Sequence, residues 1–189
     1  VLQESYAPYD IHLTLMGTDR VVDDVIGTGF YLPNGSTNDE LFTQYLEYVK
    51  HTRNGGYDAL NVYFYTDLPN GIQGICPLPT VVEPGSDFFY RDGCQIHAET
   101  MPGGSLAPYN LGLTAVHEAG HWFGLLHVFQ GGCSAYGDGV LDTPPQATAT
   151  SGCPSSKDSC PNDPGVDSVH NFMDYSDDLW YVLEYIRVL

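Results

Sequence analysis

HEAGHWFGLLH, residues His117 to His127, is the stretch from which the rest of this chain is read. If His117 to Trp122 is helical, the two histidines four residues apart stand one turn above the other on one face, with Glu118 beside them. That is a two-imidazole grip on a metal with a carboxylate at hand. Gly124 can take the left-handed conformation that ends a helix and reverses the chain, which lets His127 swing back to the same ion. A zinc ion held by three neutral imidazoles keeps a fourth position at which water is acidified, and Glu118 is placed to take the proton. HExxH alone also arises by chance on surface helices. The added glycine and third histidine, and the downstream Asn171-Phe172-Met173-Asp174-Tyr175, favour a metal site.

Outward from the motif, Leu111 to Phe123 is expected as the metal-bearing helix. At the N-terminal side, VLQESYAP reads as the last turns of a helix. Ile11 to Met16 alternates and predicts a strand, and Val25 to Tyr31 a short second one. Thr37 and Glu40 have capping-box spacing before a helical repeat of Leu41, Phe42, Tyr45, Leu46 and Val49, stopped by Asn54-Gly55-Gly56. The continuous apolar run Ala59 to Tyr65 predicts the central strand of a sheet. Phe88 to Tyr90 and Gln95 to Glu99 are the remaining expected strands. Residues 131–165 are rich in glycine, proline, serine and aspartate with little periodic hydrophobicity, which predicts an irregular segment held by disulfides.

With 189 residues, 42% of them hydrophobic, the chain is expected to form one domain, with residues 1–127 as an upper subdomain and residues 128–189 as a lower one. No stretch has the apolar length of a membrane span and no signal peptide remains at Val1, so a soluble protein is expected. Twenty-four acidic against six basic residues, a net charge of -18, argue against nucleic acid and anionic membranes as partners; protein or peptide partners and a monomer are expected. Five cysteines point to an oxidising, extracellular compartment and leave one thiol without an internal partner. Asn34-Gly35-Ser36 has the glycosylation pattern. His12, His51, His97 and His170 have no motif partners and read as structural or surface residues.

At HEAGHWFGLLHVFQGGC (His117 to Cys133) and HNFMDYSDD (His170 to Asp178) the sequence resembles the metzincin metallopeptidases, named for HExxHxxGxxH and a methionine turn. YRDGC (Tyr90 to Cys94), PGGSLAPYNLG (Pro102 to Gly112) and DTP (Asp142 to Pro144) narrow the resemblance to the pappalysin family, in its fungal, secreted, cytophagalysin-like branch. The likeness runs from about Tyr6 to Asp178.

The resemblance implies an α+β fold, a twisted mixed sheet with a zinc-binding helix and an irregular, disulfide-stapled lower subdomain. It implies a secreted zinc endopeptidase with His117, His121 and His127 as ligands and Glu118 as general base. Met173 would sit beneath the metal, filling an irregular gap without competing for it. Tyr175 would stabilise the oxyanion. Asp178 would select arginine or lysine after the scissile bond, against the alternative that Asp177 and Asp178 are solvated loop acids. Metzincins pair substrate with a strand at the sheet edge. Gln95 to Glu99, with Gln95 and His97, is the candidate, and an ordinary sheet strand is the other reading. Asp138 and Asp142-Thr143 resemble a calcium site of the family.

The family pairs Cys133 with Cys160 and, in fungal members, Cys76 with Cys94. Cys153 lacks its usual partner, because Trp180 stands at that position. After Asp178 the chain reads LWYVLEYIRVL and departs from the family pattern, which favours an inactive zinc-binding module as the alternative to the enzyme; a non-catalytic acidic interaction protein is the third reading.

Overall fold

A computed structural model describes residues 1–29, 39–134 and 136–179. The expected capping box at Thr37, the sequon at residues 34–36 and the departing tail from residue 180 lie outside the described residues.

The α+β architecture is a small mixed sheet laid against the motif helix, followed by a long segment with little regular structure. Helix α1 (Leu2–Tyr6) leads into a 3-10 turn at Ala7–Tyr9. Its Tyr6 is buried, donates from its hydroxyl to the Val116 carbonyl at 2.8 Å and meets Phe123 edge-on. Helix α2 (Asp39–Thr52) buries Tyr45, Leu46 and Val49 at the predicted helical spacing. Strand β1 (Val62–Tyr65) runs parallel to β3 (Cys94–His97), and β2 (Gly74–Ile75) runs antiparallel to β3 on its other side. Helix α3 (Asp87–Tyr90) precedes β3, and α4 (Leu113–Trp122) carries the motif. Val116 and Ala119 of α4 are buried against Tyr6, and Ala115 packs with Cys76, Cys94 and Ile96.

One buried ion pair ties these elements together. Arg53, after α2, holds the Asp92 carboxylate at 3.0 Å with both side chains almost fully buried, and lies over the Phe89 ring at 4.6 Å. The second Asp92 oxygen accepts from the Trp122 indole at 3.0 Å, so the turn before β3 is fastened both to α2 and to the end of α4. Removing one partner of such a pair would strand a buried charge.

Several strand expectations are corrected. Ile11 to Met16 forms no ladder. Ile11 and Leu13 pack under the α1–α4 core while Leu15 and Met16 are exposed, so the alternation records an extended segment docked by side chains. Around Val25 the chain turns, because the Asp23 carboxylate accepts from the Val25 and Ile26 amides at 2.9 and 2.8 Å and opens the 3-10 turn Ile26–Thr28; Tyr31 lies outside the described residues. Phe88 to Tyr90 is helical within α3, capped by Ser86, whose hydroxyl accepts from the Phe89 amide at 3.2 Å.

The sheet order is also revised. It is β1-β3-β2, so the run ending at Tyr65 lies at one end and the strand containing Gln95 and His97 is central. A two-residue strand beginning with glycine carries no alternation, which is why β2 gave no signal. It nevertheless takes the outer place beside the motif helix.

Candidate active site

Helix α4 begins at Leu113 behind Gly112 without a side-chain cap of its own. Asp178 supplies that role from across the chain: its Oδ2 accepts from the Leu111 amide at 2.7 Å, and Leu113 also donates to the carboxylate. The residue is buried, and desolvation raises its pKa. At the other end Gly124 takes φ +95°, and the Gly124 and Leu125 amides donate to the His121 and Gly120 carbonyls, both at 2.9 Å. This reversal returns the chain so that His127 faces the helix.

The side-chain nitrogens of His117, His121 and His127 all lie within 4.8 Å of one another. Phe172 and Leu125 carbonyls hold the Nδ1 atoms of His117 and His121, at 2.6 and 2.8 Å. With Nδ1 as donor to these carbonyls, each Nε2 keeps a free lone pair. The Nε2 atoms of His121 and His127 are 3.1 Å apart. Burial first, then the neighbouring His121 ring, brings the pKa of His117 and of His127 down to about 4, so both imidazoles are neutral at physiological pH. Neutral rings with converging lone pairs suit a borderline cation such as zinc.

Glu118, on the same helix, is almost fully buried, and desolvation pushes its carboxyl up to about 8, against a hydrogen bond from the Cys76 amide. Among the described residues its buried Oε2 has no hydrogen-bond partner. A buried acceptor left open in this way is suited to an incoming donor. Tyr175 lies opposite, its hydroxyl 3.1 Å from His127 Nε2 and its ring about 5 Å from those of His127 and Phe129. Burial raises its pKa, so it remains a proton donor.

Below the rings, Met173 is buried and presses its sulfur against Gly120, where a β-carbon would strike it. Met173 also accepts from the Val128 amide through its carbonyl, at 3.2 Å. Asp174 fixes the turn, its Oδ1 accepting from the Thr150 and Tyr175 amides at 2.8 and 2.9 Å and its Oδ2 from Gln146 Nε2 at 2.8 Å. Gln146 is fully buried, and nothing in the spacing of the loop residues marked it.

A cleft of about 640 Å³ runs over this cluster, lined by the three histidines, Glu118, Tyr175, Asp174, Asp178 and the segment from Gly71 to Cys76 that contains β2. Gln95 and His97 do not line it. Gln95 is buried in the central strand, His97 Nδ1 accepts from the Glu99 amide at 3.2 Å, and the strand that borders the cleft is β2. Asp138 and Thr143 line a separate cavity of about 280 Å³ with Asp142, Ser168 and Asn171. Disulfides join Cys76 to Cys94 and Cys133 to Cys160, and Cys153 is a free, exposed thiol.

Residues 101–186 match the family described as pregnancy-associated plasma protein-A. The chain is 49% identical over 181 residues to an extracellular metalloprotease of Podospora anserina, covering 96% of this chain and 58% of that protein. The chain belongs to the pappalysin family of metallopeptidases. Extracellular metalloprotease 1 of Coccidioides posadasii is 49% identical over 179 residues, 94% of this chain and 59% of the relative. Among solved structures, mirolysin in complex with compound 9 is 35% identical with a TM-score of 0.53, covering 65% of this pappalysin-family chain and 46% of that one. Promirolysin mutant E225A of Tannerella forsythia is 33% identical with a TM-score of 0.51, covering 66% and 41%. The chain thus spans under three fifths of the first curated relative, at 58%.

Proposed function

We propose that this chain is the catalytic portion of an extracellular zinc endopeptidase. The observation that carries the reading is the convergence of three imidazoles with a buried carboxylate whose Oε2 has no hydrogen-bond partner among the described residues. His117, His121 and His127 would hold the metal; zinc bound there supplies a Lewis acid that acidifies water and polarises a peptide carbonyl.

The protein's own groups do the rest. Glu118 takes a proton from the attacking water at its carboxylate as the new C–O bond forms, then delivers it to the leaving nitrogen as the C–N bond breaks. The Tyr175 hydroxyl donates to the carbonyl oxygen as negative charge develops there. The side of β2 away from β3 offers main-chain hydrogen bonds to an extended peptide lying in the cleft. Among the described residues lining that cleft, Glu118, Asp174 and Asp178 are acidic and none is lysine or arginine, which supports a preference for arginine or lysine after the scissile bond. Asp138 and Thr143 are proposed to hold calcium, an oxygen-preferring cation, in their own cavity.

Mass-spectrometric mapping of the cuts made in a denatured protein mixture tests this function. Cuts that disappear with a chelator and cluster before basic residues are expected. Cuts without that preference would remove the pocket assignment, and none from folded, zinc-loaded protein would leave the inactive module standing.

A further inference from the structure

The partners of Glu118 come from the edge strand, and they depend on a position that no charge or motif marks. A β-carbon at Gly74 would stand 2.6 Å from Glu118 Cγ and 2.8 Å from its Oε1. These are separations that real β-carbons do not reach. Two residues on, the Cys76 amide donates to the same carboxylate. Cys76 is in turn bonded through sulfur to Cys94, the first residue of the central strand, and β2 is registered on that strand by Gly74 opposite Ile96 and Ile75 opposite Gln95. Cys94 and Ile96 are buried against Ala115 of α4, the helix that carries Glu118.

We propose that Gly74 and the disulfide-anchored Cys76 amide position Glu118 for proton transfer. Gly74 leaves room for the side chain against the strand, and Cys94 fixes the height at which the Cys76 N–H meets it. This rests on the reading of Glu118 as the base. A β-carbon at Gly74 would therefore displace the Glu118 side chain from the strand toward the cleft that it lines. Displacement of a catalytic group by about 1 Å costs roughly a hundredfold in rate.

The test is a double-mutant cycle of Gly74→Ala with Glu118→Gln in zinc-loaded protein, with zinc content, kcat and KM measured for each form. G74A alone should lower kcat at least tenfold, leave KM within about twofold and keep stoichiometric zinc. In the E118Q background the same change should cost less than twofold, because the group it positions no longer acts. Unchanged kcat in G74A, or an equal loss in both backgrounds, would overturn the proposal. Should G74A fail to fold, the pair Cys76→Ser with Cys94→Ser goes through the same cycle with the same expectation. If E118Q itself retains turnover, the reading of Glu118 as base falls first, and the outcome is distinct from failure of the positioning argument alone.

Discussion

The sheet and helices up to residue 122, and the segment from residue 131 to 178, are held by different means. In the first, backbone ladders and periodic apolar faces do the work: Val49, Ile96 and Val116 are fully buried, and the helical spacing around Val49 predicts its burial. In the second, regular structure is almost absent, and buried polar side chains grip the backbone directly. Asp174 joins residues 146, 150 and 175, and Asp167 Oδ1 accepts from the Ser159 amide and hydroxyl at 2.9 and 3.0 Å while Lys157 reaches its other oxygen at 3.1 Å. The difference teaches where specificity is stored. A packed helix tolerates volume-conserving change, whereas a loop built on charge-assisted hydrogen bonds depends on each acceptor.

The sharpest way to break this contrast is to delete one anchor from each region. Asp174→Ala should cost about 3 kcal/mol, because it leaves the buried Thr150 amide unpaired and removes one acceptor of the buried Gln146 amide group, which keeps the Thr148 carbonyl. Val116→Ala in the helix should cost about 2 kcal/mol. Urea unfolding of both variants checks the order, and a larger loss for V116A would reverse the comparison.

Opening the Cys133–Cys160 bond by a double serine replacement comes next. It releases a loop of sequence separation 27, for which chain entropy predicts about 3.5 kcal/mol. Thermal unfolding should show the loss, and an unchanged melting temperature would mean that the polar network alone sets the segment.

Acid should separate the regions by pH window. In metal-free protein the partly buried His117 and His127 have pKa values of about 4, below the unfolded value of 6.5, so the unfolded chain binds more protons between these limits. Stability is therefore full above about pH 6.5 and falls progressively toward pH 4. Asp167 acts lower. Burial would raise its pKa, but the Ser159 and Lys157 hydrogen bonds outweigh it and the net shift is downward, so its contribution holds above the unfolded carboxylate pKa and is lost as pH falls through the folded one. Denaturant titrations across pH check this; flat stability from pH 6.5 to 4 in metal-free protein would contradict the histidine assignment.

The same contrast explains what was legible. The helices of Leu41 to Val49 and His117 to Trp122 follow from periodicity, and the three-histidine cluster follows from spacing plus one glycine. Both disulfides are the pairs that family resemblance implied. What escaped was set by tertiary partners. Gly74 has no side chain to signal its strand, Gln146 looks like any loop glutamine, and nothing beside Asp178 in the sequence marks its capping of α4. Between an edge strand and an ordinary sheet strand for Gln95 to Glu99, chain order does not decide, because it does not reveal that β2 folds back outside β3.

The most direct measurement is zinc content and peptide turnover of Glu118→Gln measured side by side. The account predicts stoichiometric zinc with kcat reduced roughly 10²–10⁴-fold, since the ligands are intact and the proton acceptor is gone. Turnover near the unsubstituted rate with zinc retained would contradict the central assignment of Glu118 as the base.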